Sequence, residues 1–166
     1  MSKQWFIVTL QNYKKEGFSL LFGAFLIVML FFITAYGNQM EAIDFFQLVF
    51  ALKYKTPAFV GLYIGLVTLL VVIPVRYIEF FQINQYKEFV LRINDKKKCN
   101  AMIARCVLFL VLAEFLAVWV CMGMMSLFLP KSETGILAGL PLLAGYALLT
   151  YGIAIGYYYL KGDNMT

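Results

Sequence analysis

Few residues in this sequence can carry chemistry, and histidine is missing altogether. Its absence removes bis-histidine haem ligation, the commonest zinc and copper sites, and the usual general base. The three cysteines, Cys99, Cys106 and Cys121, form no CxxC pair, whereas thiol–disulfide chemistry needs a pair poised to close. Ser126 and Ser132 have no base at a recognisable spacing, so neither reads as an activated nucleophile. No phosphate-binding loop or dinucleotide fingerprint is present. Glu79, Glu88 and Asp95 are interleaved with lysine and arginine and read as solvated ion pairs. The sequence therefore predicts no enzyme, no cofactor and no metal site.

One acid remains to be explained. Glu114 sits in "RCVLFLVLAEFLAVWVCMGMMSLFLP", residues 105–130, which is apolar almost throughout. It lies nine residues beyond Arg105, about 13 Å along a helix. If Arg105 marks the interface, Glu114 is near the middle of a membrane, where a charged carboxylate costs several kcal/mol. The group is expected to be neutral, paired, or in a wet crevice. Ala117 and Cys121, at i+3 and i+7, put small residues on its helical face. Three roles follow. A protonated Glu114 could bond a hydroxyl or carbonyl between helices, with Tyr63, Thr68, Tyr146 and Thr150 as candidate partners. A partner subunit could supply a polar or basic group. Glu114 could also carry protons or bind a cation, and in this respect a buried Glu in a four-helix chain resembles the small multidrug transporters. Here the Glu is on a different helix and the chain is longer.

The elements that must position Glu114 are set by composition. Apolar residues make up 63% of the 166 and charged residues 14%, with a mean hydropathy of +0.81. Soluble proteins run nearer half apolar and a quarter charged. Residues 17–36, 56–75 and 134–160 carry no charge, and residues 106–130 carry only Glu114. A helix needs about 20 apolar residues to cross a hydrocarbon core of about 30 Å, and the runs lack the alternation of a barrel strand. The predicted fold is an all-α integral membrane protein with four transmembrane helices near residues 17–36, 57–77, 106–129 and 135–160. The chain reads as one polytopic domain over residues 1–166. The first apolar run is longer than a signal-peptide core and is expected to be a retained helix.

Charge asymmetry predicts the orientation. Lys3, Lys14, Lys15, Arg76, Lys87, Arg92, Lys96, Lys97, Lys98, Arg105 and Lys161 fall on one side, and Lys53, Lys55 and Lys131 on the other. The positive-inside rule places both termini and the long middle loop in the cytoplasm, most simply at a bacterial inner membrane. The sequence pI near 9.1 follows from this topology and from attraction to anionic lipid headgroups, not from nucleic-acid binding.

Three flanking segments add detail. Residues 1–16 mix Trp5, Phe6, Val8 and Leu10 with lysines and read as an interfacial segment on the inner leaflet. Met40, Ile43, Phe46 and Phe50 recur at helical spacing, predicting a short amphipathic helix on the outer face that rests on lipid or docks a partner. Residues 78–104 are more than a connection requires and predict a helical cytoplasmic projection, with Arg92, Lys96, Lys97 and Lys98 as contacts for lipid or a partner. Among the spans, Gly61–Gly65, Gly135–Gly139 and Gly152–Gly156 form GxxxG pairs, and Ala138, Gly145, Gly152 and Gly156 fall on one face by heptad spacing. Such faces let a second backbone approach closely. No internal repeat is present.

The leading functional expectation is a non-enzymatic subunit of a larger membrane assembly of the secretion, conjugation, respiratory or motor kind. The alternative is a small proton- or cation-coupled transporter or channel using Glu114. A third expectation rests on plan alone: colicin immunity proteins have a similar four-helix, ends-inside layout, which implies protection against a pore-forming toxin. Expected partners are the bilayer, anionic headgroups and other membrane subunits.

Overall fold

The computed structural model describes residues 2–51, 56–84 and 96–162. These form five helices and, among the described residues, no strand: α1 (Ser2–Gly37), α2 (Ala42–Phe50), α3 (Pro57–Asn84), α4 (Lys96–Ser126) and α5 (Ser132–Gly162). Long apolar runs become helices because a helix satisfies its own backbone groups where no water can. Among the described residues, four stretches are long and apolar enough to cross a membrane: Gly17–Gly37, Pro57–Glu79, Asn100–Ser126 and Gly139–Leu160. Only 22–33% of each is buried inside the chain. The outward residues include Phe18, Ile33, Leu116, Leu148 and Leu160, all half-exposed or more. A water-soluble monomer rarely exposes such continuous apolar surface. The protein is a multi-pass α-helical membrane protein.

The spans pack as two antiparallel pairs. Along α1 and α3, Gly23 faces Leu69 and Gly65 faces Ile27, and further on the rings of Phe31 and Phe59 stack with centroids 5.9 Å apart. The α4–α5 pair turns at residues 127–131, with Lys131 at φ 53°. At the opposite end Tyr158 Oη donates to Asn100 Oδ1 at 2.8 Å. The two ends are called here the Pro130 end and the Arg76 end. The core runs between the pairs, through Phe31, Leu66, Leu70, Val107, Val111 and Ala154.

The observed boundaries refine those read from the sequence. Lys131 completes the reversal, so Ser132 is already helical. Residues 2–16 are not a separate segment, because α1 is continuous from Ser2 to Gly37 and no proline interrupts it. Pro74 and Pro141 lie inside α3 and α5, and both helices continue through them. α3 extends past the apolar span to Asn84 and α4 begins at Lys96, while residues 85–95 of the expected 78–104 projection lie outside the described residues.

The largest difference is α2. It does not lie on an outer surface. Ala42, Phe45, Phe46, Leu48, Val49 and Phe50 are all at most 2% exposed. Its first N–H, from Ala42, donates to Pro130 O at 2.9 Å, beside an ion pair between Glu41 and Lys131. Its last carbonyl, of Phe50, accepts from Tyr146 Oη at 2.8 Å. Tyr146 lies seven residues inside the Gly139–Leu160 span, about 10 Å of helix. α2 therefore sinks from the Pro130 end into the bundle. The reason is compositional: in "AIDFFQLVF" only Asp44 and Gln47 are polar, and a helix apolar nearly all round is a buried helix.

Candidate functional site

α4 buries Ile103, Val107, Val111, Glu114, Val118, Met122 and Met125. Their spacings of three and four define one seam facing the other helices. Glu114 occupies the middle of it, 3% exposed. It is 14 residues from Asn100 and 12 from Ser126, the limits of its span, so about 21 Å and 18 Å from the two ends. Neither carboxyl oxygen has a hydrogen-bond partner among the described residues.

None of the hydroxyls expected as partners for Glu114 bonds it. Tyr146 gives its one proton to Phe50 O, so in the bond between the Tyr63 and Tyr146 hydroxyls Tyr63 is the donor. This pair satisfies a carbonyl at the end of α2, one of the orphan acceptors every helix C-terminus leaves. Thr68 is exposed and Thr150 is buried, and neither bonds Glu114. Ala117 is exposed, while Cys121 is half-buried. The face around Glu114 is therefore the seam of valines and methionines, not the Ala117 side. Because that seam faces inward, the carboxyl is not presented at the lipid-facing surface of the chain. The indole Nε1 of Trp119 is likewise buried with no partner among the described residues.

The glycines divide into two sets. Gly139 is buried beneath the Phe46 ring of α2, so close that a Cβ there would lie 2.7 Å from Phe46 Cε1. Gly65 packs within the chain against Ile27. In contrast, Gly61, Gly145, Gly152 and Gly156 are exposed, and a Cβ added to any of them would meet nothing within 4 Å. Gly135 is in the first turn of α5. At the Arg76 end, Glu79 ties α3 to α5. Its Oε2 pairs with Arg76 at 3.1 Å, and its Oε1 accepts from Tyr157 Oη at 2.6 Å. Lys96, Lys97 and Lys98 open α4, and Arg92 lies outside the described residues.

Sequence reasoning missed a cleft at the Pro130 end. It has a volume of about 460 Å³ and is lined by Thr34, Asn38, Gln39, Met40, Glu41, Asp44 and Phe59. The available signal was the polar turn "GNQ" after the first span, where Gln39 takes φ 51°. Among the described residues no three His, Cys, Asp or Glu side chains gather as a metal site would need.

The geometry defines the class as a four-span helical membrane protein with an inserted fifth helix. No family model, no curated protein and no solved structure matches the chain.

Proposed function

We propose that this chain is a non-catalytic subunit of a larger membrane assembly, held in a bacterial inner membrane with both termini and the Arg76 end in the cytoplasm. The observation that carries the proposal is the open stripe on α5. Gly145, Gly152 and Gly156 share its outer face, and among the described residues nothing lies within 4 Å of where a Cβ on any of them would sit. An interior glycine costs a helix about 1 kcal/mol relative to alanine. It also offers lipid less surface than a leucine would. What it does permit is close approach of another helix, the main source of contact energy between spans in lipid. Gly61 offers the same opening on α3. The orientation rests on the eleven-to-three division of basic residues, and on that orientation the cytoplasmic Arg92 and Lys96–Lys98 would contact headgroups or a partner's soluble face. α2 is withdrawn from this role, since its apolar faces are consumed inside the chain.

The test is extraction from the native membrane in mild detergent, followed by sizing and mass spectrometry. Stoichiometric companions that disappear in Gly152→Leu support the proposal. A lone monomer in both proteins overturns it.

A further inference from the structure

Glu114 belongs to none of the surfaces used above. It is enclosed in the seam of α4, between Val111 and Val118, with both oxygens unpartnered among the described residues. The elements packed against α4 bring no ionised side chain to its depth. The spans Gly17–Gly37 and Gly139–Leu160 contain no Asp, Glu, Lys or Arg. α3 carries Arg76 and Glu79 at one end, paired with each other. α2 carries only Asp44, in its first turn. On α4 itself Arg105 is exposed and nine residues away. The titratable groups brought toward the interior are the phenols Tyr63, Tyr77, Tyr146, Tyr151, Tyr157 and Tyr158 and the thiols Cys106 and Cys121. Tyr63 and Tyr146 are spent on the end of α2, and Tyr158 on Asn100.

This setting selects the ligand. A divalent cation requires about six oxygens, and Glu114 offers two. A proton requires a single lone pair. It leaves a neutral acid, the only form of this side chain that an apolar seam accommodates without a counter-charge. We propose that Glu114 is a proton-binding site inside the bundle, taking one proton from water and returning it, and that the seating of α4 against its neighbours depends on that proton. Uptake forms one O–H bond and takes the carboxyl from −1 to neutral, and release reverses both. The ionised form draws water to itself and loosens the seam. Nothing in this depends on whether the chain has partner subunits.

The test uses the full chain in vesicles of phosphatidylcholine and phosphatidylglycerol, stepped through pH, with Glu114→Gln as the near-isosteric control. Infrared spectroscopy reads the carboxylic-acid carbonyl stretch. The expected result is a band at neutral pH that is absent from Glu114→Gln and disappears reversibly as pH rises. Over the same steps, alkylation of Cys121 by a water-soluble maleimide accelerates more in the native protein than in Glu114→Gln. A missing band at neutral pH, or one that stays constant wherever circular dichroism shows intact helix, overturns the site. Equal alkylation in the two proteins overturns its link to packing.

Discussion

Gly139→Ala tests the placement of α2 most directly. A Cβ at position 139 would lie 2.7 Å from Phe46 Cε1, 2.8 Å from Cγ and nearer still to Cδ1. The ring has little room to retreat. Phe46 is 1% exposed and stands edge-on to Phe45 at a centroid distance of 5.9 Å. Overpacking of this kind costs about 1–3 kcal/mol, and Gly→Ala in a helix returns about 1 kcal/mol. With three ring atoms closer than a real Cβ tolerates, the upper half of that range applies, and the net loss is about 1–2 kcal/mol. Gly145→Ala, six residues along the same helix, meets open space and gains up to about 1 kcal/mol. The assay is unfolding of the detergent-solubilised monomer by added dodecyl sulfate, followed by tryptophan fluorescence and far-ultraviolet circular dichroism. Gly139→Ala should shift the midpoint down and Gly145→Ala should leave it or shift it up. Phe46→Leu should recover part of the Gly139→Ala loss, because residues in contact couple by about 0.5–3 kcal/mol. If the two alanine variants behave alike, Phe46 does not cover Gly139 and α2 is not inserted as described.

Tyr146→Phe should cost about 1–3 kcal/mol in the same assay, because it leaves both the Phe50 carbonyl and the Tyr63 hydroxyl without their partner. Tyr63→Phe should cost less, about 1 kcal/mol, since the bond from Tyr146 to Phe50 survives it. Lys131→Ala should move the midpoint by less than about 1 kcal/mol, since the pair with Glu41 is solvent-exposed. Gly152→Leu should leave monomer stability within about 1 kcal/mol of native while removing companions from the detergent-extracted particle.

The four spans were legible because length and hydropathy state them directly. Residues 17–36 and 134–160 without a charge leave no soluble alternative. α2 was misjudged because periodicity was given more weight than composition. Met40, Ile43, Phe46 and Phe50 make a stripe, yet Phe45, Leu48 and Val49 lie off it and are buried as deeply. The scarcity of polar residues in that segment was the better guide. The place of Glu114 near the middle of an apolar run was also legible. Its direction was not, because small residues at i+3 and i+7 pointed to Ala117, whereas the packing seam follows the branched and sulfur-bearing side chains Val111, Val118 and Met122. The Tyr63–Tyr146–Phe50 network could not be read at all, since it joins residues 83 and 96 positions apart.

The glycines show why a motif alone cannot tell an inner face from an outer one. "GILAG" and "GIAIG" have the same spacing on the same helix, and α5 buries Gly139 of the first while exposing both glycines of the second. What sets the phase is the company each keeps. Leu143, Thr150, Ala154 and Tyr158 define the buried side of α5, Gly139 shares their face, and Gly145, Gly152 and Gly156 fall opposite. On the inner side the lack of a side chain has a visible occupant, the Phe46 ring. On the outer side the same lack recurs three times beside large exposed residues such as Leu148, Leu149 and Ile153, which leaves a shallow groove between apolar ridges. Acyl chains would fill such a groove no better than they cover a leucine surface, and they give no offset for the helix propensity that glycine forfeits. A neighbouring helix does, because van der Waals contact grows steeply as backbones approach.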